Sequence, residues 1–213
     1  MSATFSNNHT LRLNVWLSKG GVVVAETKST KRMFADELEA MMEGMPLSKV
    51  RIRDLCVRCG VERCTFYYHF KDKFDLVAWM LDQDNLRAEE GVRRYTCEHF
   101  AEGLRIIWER RAFYRRAFEE DSQNSIYRHH LEYCIRENEV LLKRHLGVKT
   151  LSREASFEAL FFSLGSAGCI GPWLRGEIKA TPTQLAESLF ECMPPMLGRA
   201  YASQGETTQR ASD

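Results

Sequence analysis

Apolar residues recur at helical intervals along most of this chain. After Thr30, a plausible N-cap, Met33, Phe34, Leu38, Met41 and Met42 share a face before Gly44 and Pro46 interrupt the pattern. This predicts a first helix over about 30 to 43. Ile52, Leu55, Cys56 and Cys59 then occupy i, i+3, i+4 and i+7, one stripe on a short helix that ends at Gly60. Val61 enters a tight turn, and Phe66 and Phe70, four apart, give a second short helix a face that packs on the helix before it. Arg63, Cys64, Thr65, Tyr67, Tyr68 and His69 are left mainly on the remaining surface. From Asp72 a long helix is predicted through Leu76, Val77, Met80, Leu81 and Leu86 to about Tyr95.

Further helices are expected over roughly 97 to 118, 123 to 146, 152 to 178 and 181 to 202. Asp121 or Ser122, Ser152 and Thr181 can cap starts, Gly147 and the Gly176 region can end helices, and Pro182 suits a first turn. The expected fold class is therefore all-α. Only the first residues differ, with Leu11, Leu13, Val15 and Leu17 alternating and Gly20-Gly21 preceding Val22 to Val24. An isolated hairpin is marginal in water, so residues 1 to 27 are expected to be a flexible extension. Residues 203 to 213, polar and aperiodic, are expected to be a disordered tail.

A chain of 213 residues with 44% hydrophobic composition can bury the core of one large domain or two small ones. No apolar run approaches the ~20 residues of a membrane helix, and the start lacks the pattern of a secretory signal, so a cytoplasmic location without membrane contact is expected. Seven cysteines, an odd number without a regular framework, read as thiols of a reducing compartment. The net charge of +1 says little, but between Lys49 and Lys73 seven basic residues face three acidic ones. That local excess of +4 suits a phosphate-facing patch.

The same stretch raises a metal question. Cys56, Cys59, Cys64 and His69 have spacing close to that of a zinc knuckle. A knuckle is folded by its metal, however, and does not require Ile52, Leu55, Phe66 and Phe70 on helical stripes. Two helices and a turn account for all four apolar positions, and they place Cys64 on a different helix from Cys56 and Cys59. No metal is expected. In a helix-turn-helix, Arg63 can hydrogen-bond guanine and Thr65 can meet a base edge or thymine methyl. Tyr67, Tyr68, His69 and Lys73 can reach the sugar-phosphate backbone.

These residues carry a family resemblance. The segment from Thr30 to Leu81, and above all IRDLCVRCGVERCTFYYHFKDKFDL, resembles the DNA-binding domain of TetR-family transcriptional regulators. It has the Gly-Val turn, the Thr-aromatic-Tyr recognition helix, a closing Phe and a Lys three residues later. FYYHFKDKFDLVAWM and FFSLGSAGCIGPWLRGEI are most similar to the dihydroxyacetone kinase regulator branch. The resemblance implies that Arg63, Cys64 and Thr65 face bases, that Tyr67, Tyr68 and His69 contact the groove and backbone, and that Lys73 contacts phosphate. It further implies that Lys31 and Arg32 begin helix one near the DNA; Arg51, from the basic stretch between Lys49 and Lys73, is a further candidate for DNA contact. Glu62 and Cys64 depart from the commoner Ser and Gly or Ala, so base preference does not transfer.

The resemblance also implies a homodimer on a near-palindromic site in double-stranded DNA. The residues that fit an interface are Phe157, Leu160, Phe161, Leu164, Gly165, Gly168 and Trp173, on a helix apolar over much of its circumference. Trp79, Trp108, Phe118 and Tyr133 are candidates for an effector pocket, and Tyr95, Phe113, Tyr114 and Tyr127 offer further aromatic lining. His130 and Cys134, four apart, lack a third metal ligand in register. Nothing resembles a catalytic nucleophile, a phosphate loop or paired carboxylates, so neither an enzyme nor a cofactor is expected.

The expected organisation is a DNA-binding domain over 28 to 75 and a sensing and dimerising domain over 76 to 202. The default function is a repressor controlled by a small-molecule effector or a protein co-regulator. The alternatives are an activator answering to a protein partner, a zinc-dependent single-strand binder, and a helical adaptor that has lost DNA binding.

Overall fold

Helical periodicity without strand alternation produces helices alone. The structure, a computed structural model, describes residues 29–119 and 125–206, and all regular elements among them are helical. In chain order these are α1 (Thr30–Gly44), a 3-10 turn at Leu47–Lys49, α2 (Ile52–Cys59), α3 (Arg63–His69), α4 (Lys73–Ala88), α5 (Cys97–Glu109), α6 (Arg111–Phe118), α7 (Ile126–Leu146), α8 (Arg153–Leu174), α9 (Pro182–Glu191) and α10 (Pro195–Glu206). The expected extension over 1 to 27 and the candidate caps Asp121 and Ser122 lie outside the described residues.

Side-chain caps set most helix starts. Ser29, one residue ahead of the expected Thr30, accepts from the Arg32 amide. The Asp72 carboxylate accepts from the amides of Phe74 and Asp75, and Ser125 and Ser152 cap α7 and α8. Thr181 and Gln184 form a reciprocal capping box with Pro182 in the first turn of α9.

Several expected boundaries move for physical reasons. The fourth helix stops at Ala88 rather than near Tyr95, because Gly91 and Tyr95 take left-handed conformations at φ 75° and 62°. The single helix expected over 97 to 118 breaks at Arg110, whose guanidinium is drawn to Asp84 and Glu39. The segment expected over 181 to 202 breaks at Pro194-Pro195, which cannot continue a helix. The last helix runs to Glu206, past the position where a tail was expected to begin.

α1, α2 and α3 close a small aromatic core in which Phe34 meets Phe66 edge-on at 5.2 Å. α4 crosses the expected domain boundary, and its buried Leu76, Val77, Met80 and Leu81 join that core to Ile107, Tyr114 and Trp173 of the larger half. There α5 packs on α9, α7 on α8, and α10 on both α7 and α8. α8, with 22 residues, corrects the expectation that no apolar segment reaches membrane-spanning length. In this fold its Ala155, Ala159, Phe162 and Ala167 are buried.

Candidate nucleic-acid interface

α2 ends in a left-handed Gly60 at φ 67°, and the amides of Gly60 and Val61 return to the carbonyls of Val57 and Cys56. This turn needs a residue that tolerates positive φ, and Gly provides it without strain. It directs α3 across α2 with Phe66 and Phe70 buried, at 0% and 3% exposure. The opposite face of α3 is then fixed by helical geometry. Tyr68 is 85% exposed and Tyr67 55%, with Arg63 and Cys64 also on the surface and Thr65 half-buried at its edge.

The structure thus brings Arg63, Cys64, Tyr67 and Tyr68 together on one exposed surface. The side chains of Arg51 and Arg63 make no hydrogen bond or ion pair among the described residues, which leaves both guanidiniums available. They line an open groove with Arg53 and Tyr67, between the start of α2 and α3. Arg53 was not singled out from the sequence, although it stands in the basic stretch. It bridges Asp54 at 3.1 Å while remaining exposed. Arg32 is exposed and pairs with Asp36 one turn on.

Two expected contacts are differently placed. Lys73, expected at a phosphate, donates instead to the carbonyls of Leu47, Ser48 and Val50 at 2.7, 2.9 and 3.1 Å. Its three ammonium donors are committed to the loop before α2. Lys31, expected near DNA, lies over the rings of Phe70 and Trp79 at 5.3 and 5.7 Å, a cation–π position that ties α1 to α4. His69 is half-buried beside Tyr68, and burial first and Lys31 second hold its imidazole below the ordinary histidine range.

The zinc-like residues are separated. Cys56 is buried on α2, the Cys59 thiol approaches the Met33 carbonyl at 3.9 Å, and the exposed Cys64 thiol approaches Glu62 at 3.6 Å. Burial raises the Cys59 pKa to about 11, which opposes the thiolate a metal would need. Among the described residues no three His, Cys, Asp or Glu gather as metal ligands.

On α8, Phe157 and Phe161 are 63% and 59% exposed and stack on each other, with Leu160 and Leu164 beside them. Gly165 and Gly168 continue the same exposed face. Trp173 does not belong to it. It is fully buried against Trp108 at 4.8 Å, and its indole N–H donates to the Ala180 carbonyl. A helix apolar all round gives no sequence signal for which side meets a partner, and the Trp was assigned to the wrong side.

The aromatic candidates for an effector pocket also divide. Trp79 packs on Phe70, Trp108 on Trp173, and Phe118 lies near Tyr114 and His130. Only Tyr133 of the four lines the internal cavity between α4, α5, α7, α8 and α9. Its polar lining includes Asn85, His99 and His130, which hydrophobic periodicity does not reveal.

The geometry defines a helix-turn-helix head on a larger helical body. The fold is that of TetR-family transcriptional regulators. The chain superimposes on the dihydroxyacetone kinase operon activator DhaS with a TM-score of 0.56 and 17% identity, covering 82% of this chain and 97% of that one. It superimposes on NalD, the secondary repressor of the MexAB-OprM multidrug efflux pump in Pseudomonas aeruginosa, with a TM-score of 0.50 and 17% identity, covering 77% and 94%. No family model and no curated protein matches the sequence.

Proposed function

We propose that the chain is a DNA-binding transcriptional regulator that acts as a homodimer on a near-palindromic duplex. The observation that carries this reading is the exposed row of Arg63, Tyr67 and Tyr68 on a helix whose other face is buried by Phe66 and Phe70. Large aromatic side chains held in water beside uncommitted guanidiniums fit a surface that meets phosphates and base edges. In this reading Arg63, Cys64 and Thr65 address bases, Tyr67, Tyr68 and His69 address the groove wall, and Arg32, Arg51 and Arg53 address phosphates. Residues 28 to 75 form the reading head and 76 to 202 the sensing and dimerising body, the protein acting by binding rather than by catalysis.

The exposed α8 face of Phe157, Leu160, Phe161, Leu164, Gly165 and Gly168 supplies the dimer contact. An effector or co-regulator engaging the body alters the separation of the two heads through α4, which belongs to both halves. Repression is the default mode. Activation is the second reading, favoured by the likeness to an operon activator.

Selection of bound duplexes from a random pool tests the proposal. The expected result is enrichment of a two-fold symmetric sequence with half-sites about one helical turn apart. Recovery of no symmetric sequence overturns it. Transcription from a promoter carrying the selected site then distinguishes repression from activation.

A further inference from the structure

A cavity of about 110 Å³ lies among α4, α5, α7, α8 and α9, with Phe100, Leu104, Ile107, Ile170 and Leu189 in its apolar lining. It shares His99, Phe100, Tyr133, Cys134 and Ser166 with an adjoining lobe of about 60 Å³. A cavity of about 150 Å³ is large enough for benzene. The space is of single-ring size.

Its polar wall is unusual. The Asn85 Nδ2, His99 Nδ1 and His130 Nδ1 atoms are buried and have no hydrogen-bond partner among the described residues. All three residues line the larger cavity and come from three different helices, α4, α5 and α7. Buried polar groups are ordinarily paired, so three orphans among the residues lining one cavity mark where a hydrogen-bonding occupant belongs. By contrast, the neighbouring Ser166 hydroxyl already donates to the Phe162 carbonyl.

The charge of the occupant follows from the lining. No Asp, Glu, Lys or Arg lines the larger cavity. In the adjoining lobe Arg94 and Glu137 face one another at 2.6 Å and balance each other. Burial holds both imidazoles below the usual histidine range, His130 down to about 4. An ionised ligand would therefore lose its hydration without meeting a counter-charge.

We infer that this cavity binds a small uncharged molecule about one ring in size, with a hydroxyl or carbonyl group turned to Asn85, His99 and His130 and an apolar body against Ile107, Ile170 and Leu189. The inference rests on the reading of the body as a sensing domain and names the class of ligand it takes. Asn85 follows Asp84, whose carboxylate holds Arg110, which in turn holds Glu39 of α1. Asn85 itself stands on α4, so an occupant bound to it touches the helix that head and body share.

Calorimetric titration of the full chain without DNA tests the inference, using phenol, toluene and benzoate as probes of equal ring size. Phenol is expected to bind at least about tenfold more tightly than either of the others, because toluene leaves the three nitrogens unpaired and benzoate brings a charge. The Asn85→Leu variant is expected to narrow the gap between phenol and toluene while still binding toluene, which shows the cavity intact. Phenol binding no tighter than toluene, as when water alone serves the polar wall, overturns the inference. So does benzoate binding as tightly as phenol, or failure of all three to bind. Since no duplex is present, phenol binding without a selected palindrome would refute DNA recognition alone, and a palindrome without phenol binding would refute the ligand class alone.

Discussion

The Lys73 ammonium lies 2.7 Å from the Leu47 carbonyl and holds the loop before α2 onto the start of α4. Two more carbonyls, of Ser48 and Val50, complete its donors. Replacing it with Met keeps the aliphatic stem and removes all three bonds. Hydrogen bonds to a charged group contribute about 1.5–3 kcal/mol, so Lys73→Met is expected to lower stability by about 2 kcal/mol in urea unfolding. Affinity for every duplex should fall, because the loop positions Arg51. The slope of log affinity against log salt should stay unchanged, whereas Arg51→Ala should lower it by about 1.

That prediction reverses what the sequence alone suggested for Lys73, and the reason is general. The helix-turn-helix was legible because its signals are local: the stripe of Ile52, Leu55, Cys56 and Cys59, the break at Gly60 and the Phe66–Phe70 pair all lie within 20 residues. The partner of a lysine tip is not local. Lys73 meets carbonyls 23 to 26 residues earlier in the chain, and Arg110 meets Glu39 at a separation of 71. The Pro194-Pro195 break, in contrast, was written in the sequence and is lost only when apolar periodicity is followed across it. Asn85 and His99 had no signal, and His130 stood out only beside Cys134 as a possible metal ligand, since polar residues on buried faces interrupt the periodicity by which buried faces are found.

Phe157 and Phe161 stack on an exposed face of α8, so a charge placed there strikes the proposed dimer contact without disturbing the core. Phe161→Glu is expected to raise the dimer dissociation constant by about 30-fold or more, the range of a central apolar anchor. Sedimentation velocity across a concentration series reads the change. The variant should unfold like the wild-type monomer, and an unchanged dimer would place the interface elsewhere.

Asp84 is 2% exposed and receives Arg110 and, at 2.5 Å, the Tyr114 hydroxyl. Arg110 also meets Glu39 at 2.6 Å, so one guanidinium joins α1, α4 and the start of α6. Arg110→Met leaves the buried Asp84 carboxylate with only the half-exposed Arg87 at 3.4 Å as counter-charge, and a loss of about 3 kcal/mol is expected in urea unfolding. Adding Asp84→Leu removes that charge and should recover much of the loss. A double variant no more stable than the single would show that Arg110 acts mainly through Glu39.

His130 sets the pH response of the body. Burial drives its imidazole pKa from 6.5 down to about 4, with His129 nearby acting the same way. In the unfolded chain the ring takes up a proton below about 6.5, while in the folded protein it stays neutral until about 4. The unfolded state thus binds more protons within that window, and stability falls as pH falls through it. Between pH 6.5 and about 5 the loss from His130 alone is on the order of 2 kcal/mol. His99 and His69, also lowered by burial, add to the loss with the same sign. His129 works oppositely: its bond to Asp82 raises its pKa, so its stabilisation is complete below 6.5 and is lost as pH rises through the folded value. That pair is partly exposed, with side chains at 36% and 45%, and water screens it to below about 1 kcal/mol. His130→Gln removes the largest contribution while keeping a polar group at the cavity wall. Urea unfolding at the two pH values should therefore show a much smaller difference in the variant than in the wild type, and an undiminished difference would mean that His130 is protonated in the folded protein.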